Sequence, residues 1–274
     1  MANQAAEILK LVDPADLPEL PGQADDEKPK RKSAADELLE LVNASGVILF
    51  KDEYGAAFAA VPVDERQEVH SLRSKAFRLW LNRVFYQAKD RALQSDAMRM
   101  VRDTLEAQAV FDGPTKTLAL RVASGPDGAF YYDLCGDSWQ AVRVDDSGYT
   151  IKLPPILLRR RSNSGPQVMP RKSGKGLRSF LDFVNVKNQA DRNLLLVYLC
   201  LCCVPDIPRL VLVVHGEKGA GKSFLLRLVR RIVDPAPLEL QIVPNDKSEL
   251  ALTLASGSFV AFDNVDHLQP WQSD

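Results

Sequence analysis

The chain has 274 residues, 46% of them hydrophobic and 26% charged, with 15 Gly and 17 Pro. These proportions belong to a globular protein and exclude a collagen-like or wholly disordered chain. Basic side chains number 35 and acidic ones 36, a net charge of −1, so any surface for nucleic acid must be local.

The first residues, MANQAAEILKLVDPADLP, lack a basic segment followed by an apolar one, so no secretory leader is expected. Residues 1–33 are rich in Pro and mixed charge and predict a disordered tail. Its cluster Lys28–Lys32 reads as a solvated linker or a phosphate contact. Ordered structure is predicted from Ala34, with Leu38, Leu39, Leu41 and Val42 at helical spacing behind Ser33 as N-cap. Residues 46–63 read as a hairpin. Helices follow over Leu72–Tyr86, carrying Phe77, Leu79, Trp80, Val84 and Phe85, and over Ser95–Val110. Beyond Gly113 the period changes to two, in TLALRVA, AFYYDLC, WQAVRV and YTIKL, with turn residues between them. That pattern predicts an antiparallel meander and makes residues 34–152 an α+β accessory domain.

Residues 153–178 contain Arg159, Arg160, Arg161, Arg171, Lys172, Lys175 and Arg178 and no acid. They read as a basic linker, either solvated or in contact with nucleic acid through Arg159, Arg160, Arg161, Arg171 and Lys172. A helix is predicted near Leu177–Asn185 and another over Asp191–Val204. The latter contains the apolar run Leu194–Val204, which is short of the ~20 residues of a membrane span and predicts a buried core helix. Three of the four cysteines (Cys200, Cys202 and Cys203) lie in this run and Cys135 lies apart. Their spacing does not suit zinc, so they read as small buried hydrophobes in a reducing, cytoplasmic setting.

Residues 209–215, RLVLVVH, predict a strand, and Gly216-Glu217-Lys218-Gly219-Ala220-Gly221-Lys222-Ser223 follows at once. This is the G-x-x-x-x-G-K-[ST] pattern of a phosphate-binding loop, and the amphipathic FLLRLVRRIVD comes next. Glycines let backbone N–H groups turn toward a phosphate, and the helix start adds a positive dipole end. Lys222 is the residue for the β- and γ-phosphates and Ser223 for Mg²⁺. The apolar SFVAFD, residues 258–263, ends in Asp263, the candidate second Mg²⁺ residue. LELQIV and KSELALTLA supply a strand and a helix between the two. The fold class expected for residues 179–274 is therefore an α/β P-loop nucleoside-triphosphatase core, an incomplete parallel sheet flanked by helices, binding ATP and Mg²⁺.

VHGEKGAGKSFLLRLVRRIVDP with SFVAFDNVDHLQPWQSD resembles ATPases of phages, plasmids and integrated elements, of the primase-helicase or superfamily 3 helicase-like kind within the AAA+ class. AFRLWLNRVFYQAKDRAL, LEAQAVFDG, LALRVA and FYYDLCGDSW are similar to the segment preceding the ATPase in such proteins. The resemblance covers residues 36–274 and implies an ATP-driven motor on single-stranded or forked DNA, assembled as a ring. Many AAA+ proteins place Glu after the Mg²⁺-binding Asp; here Asn264 stands there, with Asp266 as a substitute for positioning the attacking water. The chain stops at Asp274 before a sensor or arginine finger, which reads as C-terminal truncation with little hydrolysis on its own. Two other readings stay open: a P-loop nucleotide-binding protein that is not a helicase, and a catalytically degenerate interaction module. No primase, Ser/His/Asp or Cys/His constellation is visible, and His70, His215 and His267 are scattered.

Overall fold

The computed structural model describes residues 32–161, 163–171, 176–265 and 267–273. The expected tail, up to Arg31, lies outside them, as do Lys172, Lys175, Asp266 and Asp274.

Helix α1 (Ala34–Ala44) buries Ala35, Leu38 and Val42. Strands β1 (Ile48–Lys51) and β2 (Ala57–Val63) form the expected hairpin, with Ile48 opposite Ala60 and Lys51 opposite Ala57. A third strand, β3 (Arg66–Ser71), pairs antiparallel with β2 and was not foreseen. Its RQEVHS buries one residue, Val69, so it lacks the apolar alternation that announces a strand. Its turn residue Asp64 has φ of 53°, a conformation Asp tolerates.

Helix α2 (Lys75–Lys89) starts three residues later than predicted, where the Ser74 hydroxyl accepts the Phe77 N–H at 3.1 Å. Helix α3 spans Ser95–Phe111. The two bury Phe77, Leu81 and Phe85, and Met98, Val101, Leu105 and Ala109, against α1 and one face of the first sheet. Leu79, placed on the apolar stripe by spacing, is exposed. The meander forms as expected, in spatial order β4 (Val122–Ser124), β5 (Phe130–Asp133), β6 (Ala141–Asp145) and β7 (Gly148–Lys152).

The 153–178 segment is laid along the meander where described, whereas an exposed linker was expected. Leu158 bridges Ala119, and the Gln167 N–H donates to Leu134 O at 2.8 Å. Two physical causes act together: Leu158 joins the buried cluster of Ala129, Tyr131 and Ala141, and the arginines meet buried carboxylates distant in sequence. Residues 34–274 group as one compact unit, with the expected accessory domain and the later segment in contact within it.

A 3-10 helix (Gly176–Phe183) occupies the predicted helical stretch. Helix α4 (Gln189–Leu201) buries Leu195 and Leu199 but exposes Leu194, Val197 and Cys200, so it is a surface helix with one buried face, not a wholly buried one. Helix α5 (Lys222–Val233) packs Leu225, Val229 and Val233 on that face. Helix α6 (Lys247–Leu254) is capped by Asp246, and one helical turn, α7 (Pro270–Ser273), follows.

Among the described residues the expected parallel sheet is represented by a single parallel bridge, Gln241 to Phe262. The predicted strand 209–215 forms no ladder; Leu212 and Val214 pack on the α4–α5 cluster while Val211 and Val213 face outward. This alternation is the side-chain pattern of a strand without the neighbours that complete its backbone hydrogen bonds. No described helix is long and apolar enough to cross a membrane.

Candidate nucleotide site

The loop 216–223 is set by its glycines. Gly219 and Gly221 have φ of 84° and 87°, in the region an L side chain rarely adopts. They turn the chain sharply enough for α5 to begin at Lys222 with Gly221 as N-cap. The first N–H groups of the helix have no intrahelical acceptor and carry the positive end of the dipole. Lys222 folds back over the loop, its Nζ donating to Gly216 O at 2.9 Å and Glu217 O at 3.0 Å. The Ala220 N–H closes the turn on Glu217 O at 3.2 Å.

Asp263 arrives from the other side. Its segment is held by Gln241, whose N–H donates to Ala261 O and whose carbonyl accepts the Asp263 N–H, both at 2.9 Å. Ser223 Oγ donates to Asp263 Oδ1 at 2.9 Å, joining two residues 40 positions apart. Asp263 Oδ1 also accepts the Asn264 N–H at 2.9 Å, with Asn264 at φ of 55°. Lys218, Lys222, Ser223, Asp263 and Asn264 line one cavity of about 1400 Å³, which continues along the apolar residues Leu210 to Val214.

The donors present fit a magnesium–triphosphate: an ammonium, helix-start N–H groups, and a hydroxyl and carboxylate as hard oxygen ligands. Mg²⁺ in such sites takes one or two protein oxygens and completes its shell with phosphate and water. Among the described residues no cluster of three or more His, Cys, Asp or Glu could hold a metal by itself. His70 is hydrogen-bonded to Glu68 and lies edge-on to Trp139, away from this site.

The sequence-predicted arginines lie elsewhere. Arg160 binds the buried Asp133 through Nε at 2.9 Å and Nη2 at 2.6 Å, donates to Gly136 O at 2.7 Å, and stacks 3.9 Å over the Trp139 ring. Arg159 lies 4.7 Å over Phe58 and 3.7 Å from Asp52. Arg161 is half-buried, and burial pushes its guanidinium down from its ordinary value, with Arg159 adding to the effect. Arg171 is exposed.

Sequence reading missed a buried charge network at the far end of α5. Asp234 Oδ1 accepts from Arg121 Nε at 2.8 Å and lies in ion-pair contact with Nη2 at 2.6 Å. Its Oδ2 accepts from Arg230 Nη1 at 3.2 Å, the Ser258 N–H at 2.9 Å and the Phe259 N–H at 3.1 Å. Arg121 also donates to Asp133 O, Gly165 O and Pro235 O. Nearby, Tyr132 OH donates to Val233 O at 2.9 Å and the Gly165 N–H to Pro235 O at 2.7 Å. One signal was present. Asp234 puts a carboxylate at the negative end of a helix dipole, where it is disfavoured unless cations meet it.

Residues 177–274 match the family described as actinomycete integrative conjugative element replication protein. The matched segment contains the whole loop, α5 and Asp263, and the match agrees with the mobile-element part of the resemblance read from the sequence. No curated protein and no solved structure matches the chain.

Proposed function

We propose that loop 216–223 and Asp263 bind a nucleoside triphosphate with Mg²⁺, ATP being the expected one, in a mobile-element replication protein that works on DNA. The Ser223–Asp263 hydrogen bond carries the reading. The two residues chosen from sequence as Mg²⁺ ligands are the two that meet. In this reading Lys222 and the helix-start N–H groups hold the phosphates, while Ser223 and Asp263 are the residues that would hold the metal. Asn264 can orient a water but cannot take its proton. The extended segments around 212, 241 and 262 are the strands of a P-loop sheet, a view supported by the parallel Gln241–Phe262 bridge. Helicase-type ATPase activity and a ring assembly are what the resemblance adds.

Calorimetric titration of the full chain with ATP, in Mg²⁺ and in EDTA, tests the site. Saturable binding tightened by Mg²⁺ is expected; no binding in either condition refutes it.

A DNA partner also has a physical footing. Helix α2 carries no acid, and its exposed Lys75, Arg78 and Arg83 have no ion-pair partner among the described residues, whereas Arg73, Lys89 and Arg91 at its edges are paired. Exposed Tyr86 lies one turn beyond Asn82 and Arg83 on the same face, where it offers a ring for a base to stack on. Single-stranded DNA binding should weaken with salt at a log–log slope of about −0.7 per phosphate contact. Replacing Arg78 and Arg83 with Gln should make that slope shallower. An unchanged slope removes α2 from the DNA interface.

A further inference from the structure

We propose that Asp234 is a positioning residue for the nucleotide site, and that the accessory domain sets its position through Arg121. The inference rests on the nucleotide reading above and adds to it how Asp263 is brought to Ser223.

Helix α5 and the segment 258–263 run in opposite directions and are tied together at both ends. At one end Asp234 Oδ2 takes the Ser258 and Phe259 N–H groups; at the other, Ser223 Oγ holds Asp263 Oδ1. A helix rises 1.5 Å per residue, so Ser223 to Asp234 covers about 16 Å. An extended chain advances about 3.3 Å per residue, so Ser258 to Asp263 covers at most about 16 Å. The two lengths match. A slip of one residue at the Asp234 end moves the segment by about 3.3 Å, more than the length of the Ser223–Asp263 bond, and turns Asp263 to the opposite face. The Gln241 bridge holds the Asp263 end of the segment in line, and the carboxylate of Asp234 fixes where the segment starts.

Arg121 is the tighter of the two cations on Asp234. Its Nε donates to Oδ1 at 2.8 Å and its Nη2 lies in ion-pair contact with the same oxygen at 2.6 Å, against one bond of 3.2 Å from Arg230, whose Nε and Nη2 have no hydrogen-bond partner among the described residues. Arg121 immediately precedes β4, and its remaining donors reach Asp133 O, Gly165 O and Pro235 O. The carboxylate is thus clamped to the meander as well as to its own helix. Two glycines leave it room. A Cβ on Gly165 would come within 2.9 Å of Pro235 O, and one on Gly257 within 3.1 Å of Asp234 Oδ2 and 3.3 Å of Arg230 Nη2.

The division of labour at the site makes this testable. Phosphate binding by the loop does not need Asp263, whereas the tightening by Mg²⁺ does. The affinity of a fluorescent ATP analogue is measured in Mg²⁺ and in EDTA for the full chain and for Arg121→Gln, Arg121→Lys, Asp234→Asn and Gly257→Ala, each checked for folding by circular dichroism. In folded Arg121→Gln and Asp234→Asn, the Mg²⁺-dependent gain should fall about tenfold while the EDTA affinity stays within twofold. Arg121→Lys should recover part of the gain. Gly257→Ala leaves every charge in place and displaces the clamp by tenths of an ångström, so it should fold and lose a smaller part of the gain. An undiminished gain in Gly257→Ala and in every folded variant at Arg121 or Asp234 overturns the proposal. So does an equal loss of affinity with and without Mg²⁺, which marks a purely structural role. If the unmodified chain binds no nucleotide in either condition, the nucleotide reading fails and this proposal with it.

Discussion

Replacement of Lys222 by Ala isolates the cation that folds back over the loop's own carbonyls. An ammonium has three N–H donors. Two are engaged, on Gly216 O and Glu217 O, so the third can meet a phosphate oxygen without breaking either bond. The variant therefore loses one charge-assisted hydrogen bond to the ligand, about 1.5–3 kcal/mol. At 1.4 kcal/mol per decade this weakens Mg-ATP binding roughly 10- to 150-fold. The loop glycines and helix-start N–H groups are untouched, so weak binding should persist. Calorimetric titration of both proteins gives the comparison, with ADP as a second ligand to separate contacts to the terminal phosphate. A Lys222→Ala affinity within threefold of the unmodified chain would show that Lys222 does not face the phosphates and would refute the geometry assigned to the loop.

Arg160→Ala leaves the buried Asp133 carboxylate without its bidentate partner and should cost about 3–5 kcal/mol, read as a lowered urea midpoint, whereas Arg91→Ala at an exposed pair should move the midpoint far less. Equal midpoints for the two variants would contradict this. Burial, helped by the Asp133 carboxylate, pushes the Cys135 thiol up to about 12, and burial pushes Cys203 up to about 11. Raised values mean less thiolate at pH 8, on the order of 10⁻⁴ and 10⁻³ of each, so iodoacetamide should label exposed Cys200 well before either. Mass spectrometry showing Cys135 labelled first would refute the ordering.

The parts legible in the sequence were those fixed by local chemistry. Period-two and helical patterns gave the hairpin, α2, α3 and the meander, because each buries one face and says so in its spacing. The candidate site was legible for a related reason: the loop pattern at 216–223 needs particular residue types in a particular order, and Asp263 ends the next suitable apolar run. Strand β3 was hidden because a half-exposed edge strand has little apolar alternation to show. The role of Arg159–Arg161 was misjudged in kind. A run of cations without acids looks solvated, yet Asp52 and Asp133, which partner Arg159 and Arg160, lie far upstream. Arg121 and Asp234, 113 positions apart, belong to the same class. Nothing local distinguishes a buried ion pair's two halves from surface charges.

The buried pair also separates two meanings of a boundary. Similarity to the replication-protein family begins at residue 177. Physical integrity does not begin there. A piece cut at that point would keep the loop, α5 and Asp263, but Asp234 would keep Arg230 as its one cationic partner, and Tyr132 and Gln167 would be gone from the carbonyls at the end of α5. A carboxylate that is 2% exposed in the intact chain would then face water or seek another cation. What is inherited as a unit and what holds together as a unit differ in this protein. The residues before 177 are therefore part of the folding problem of the candidate site, although the family match does not extend to them.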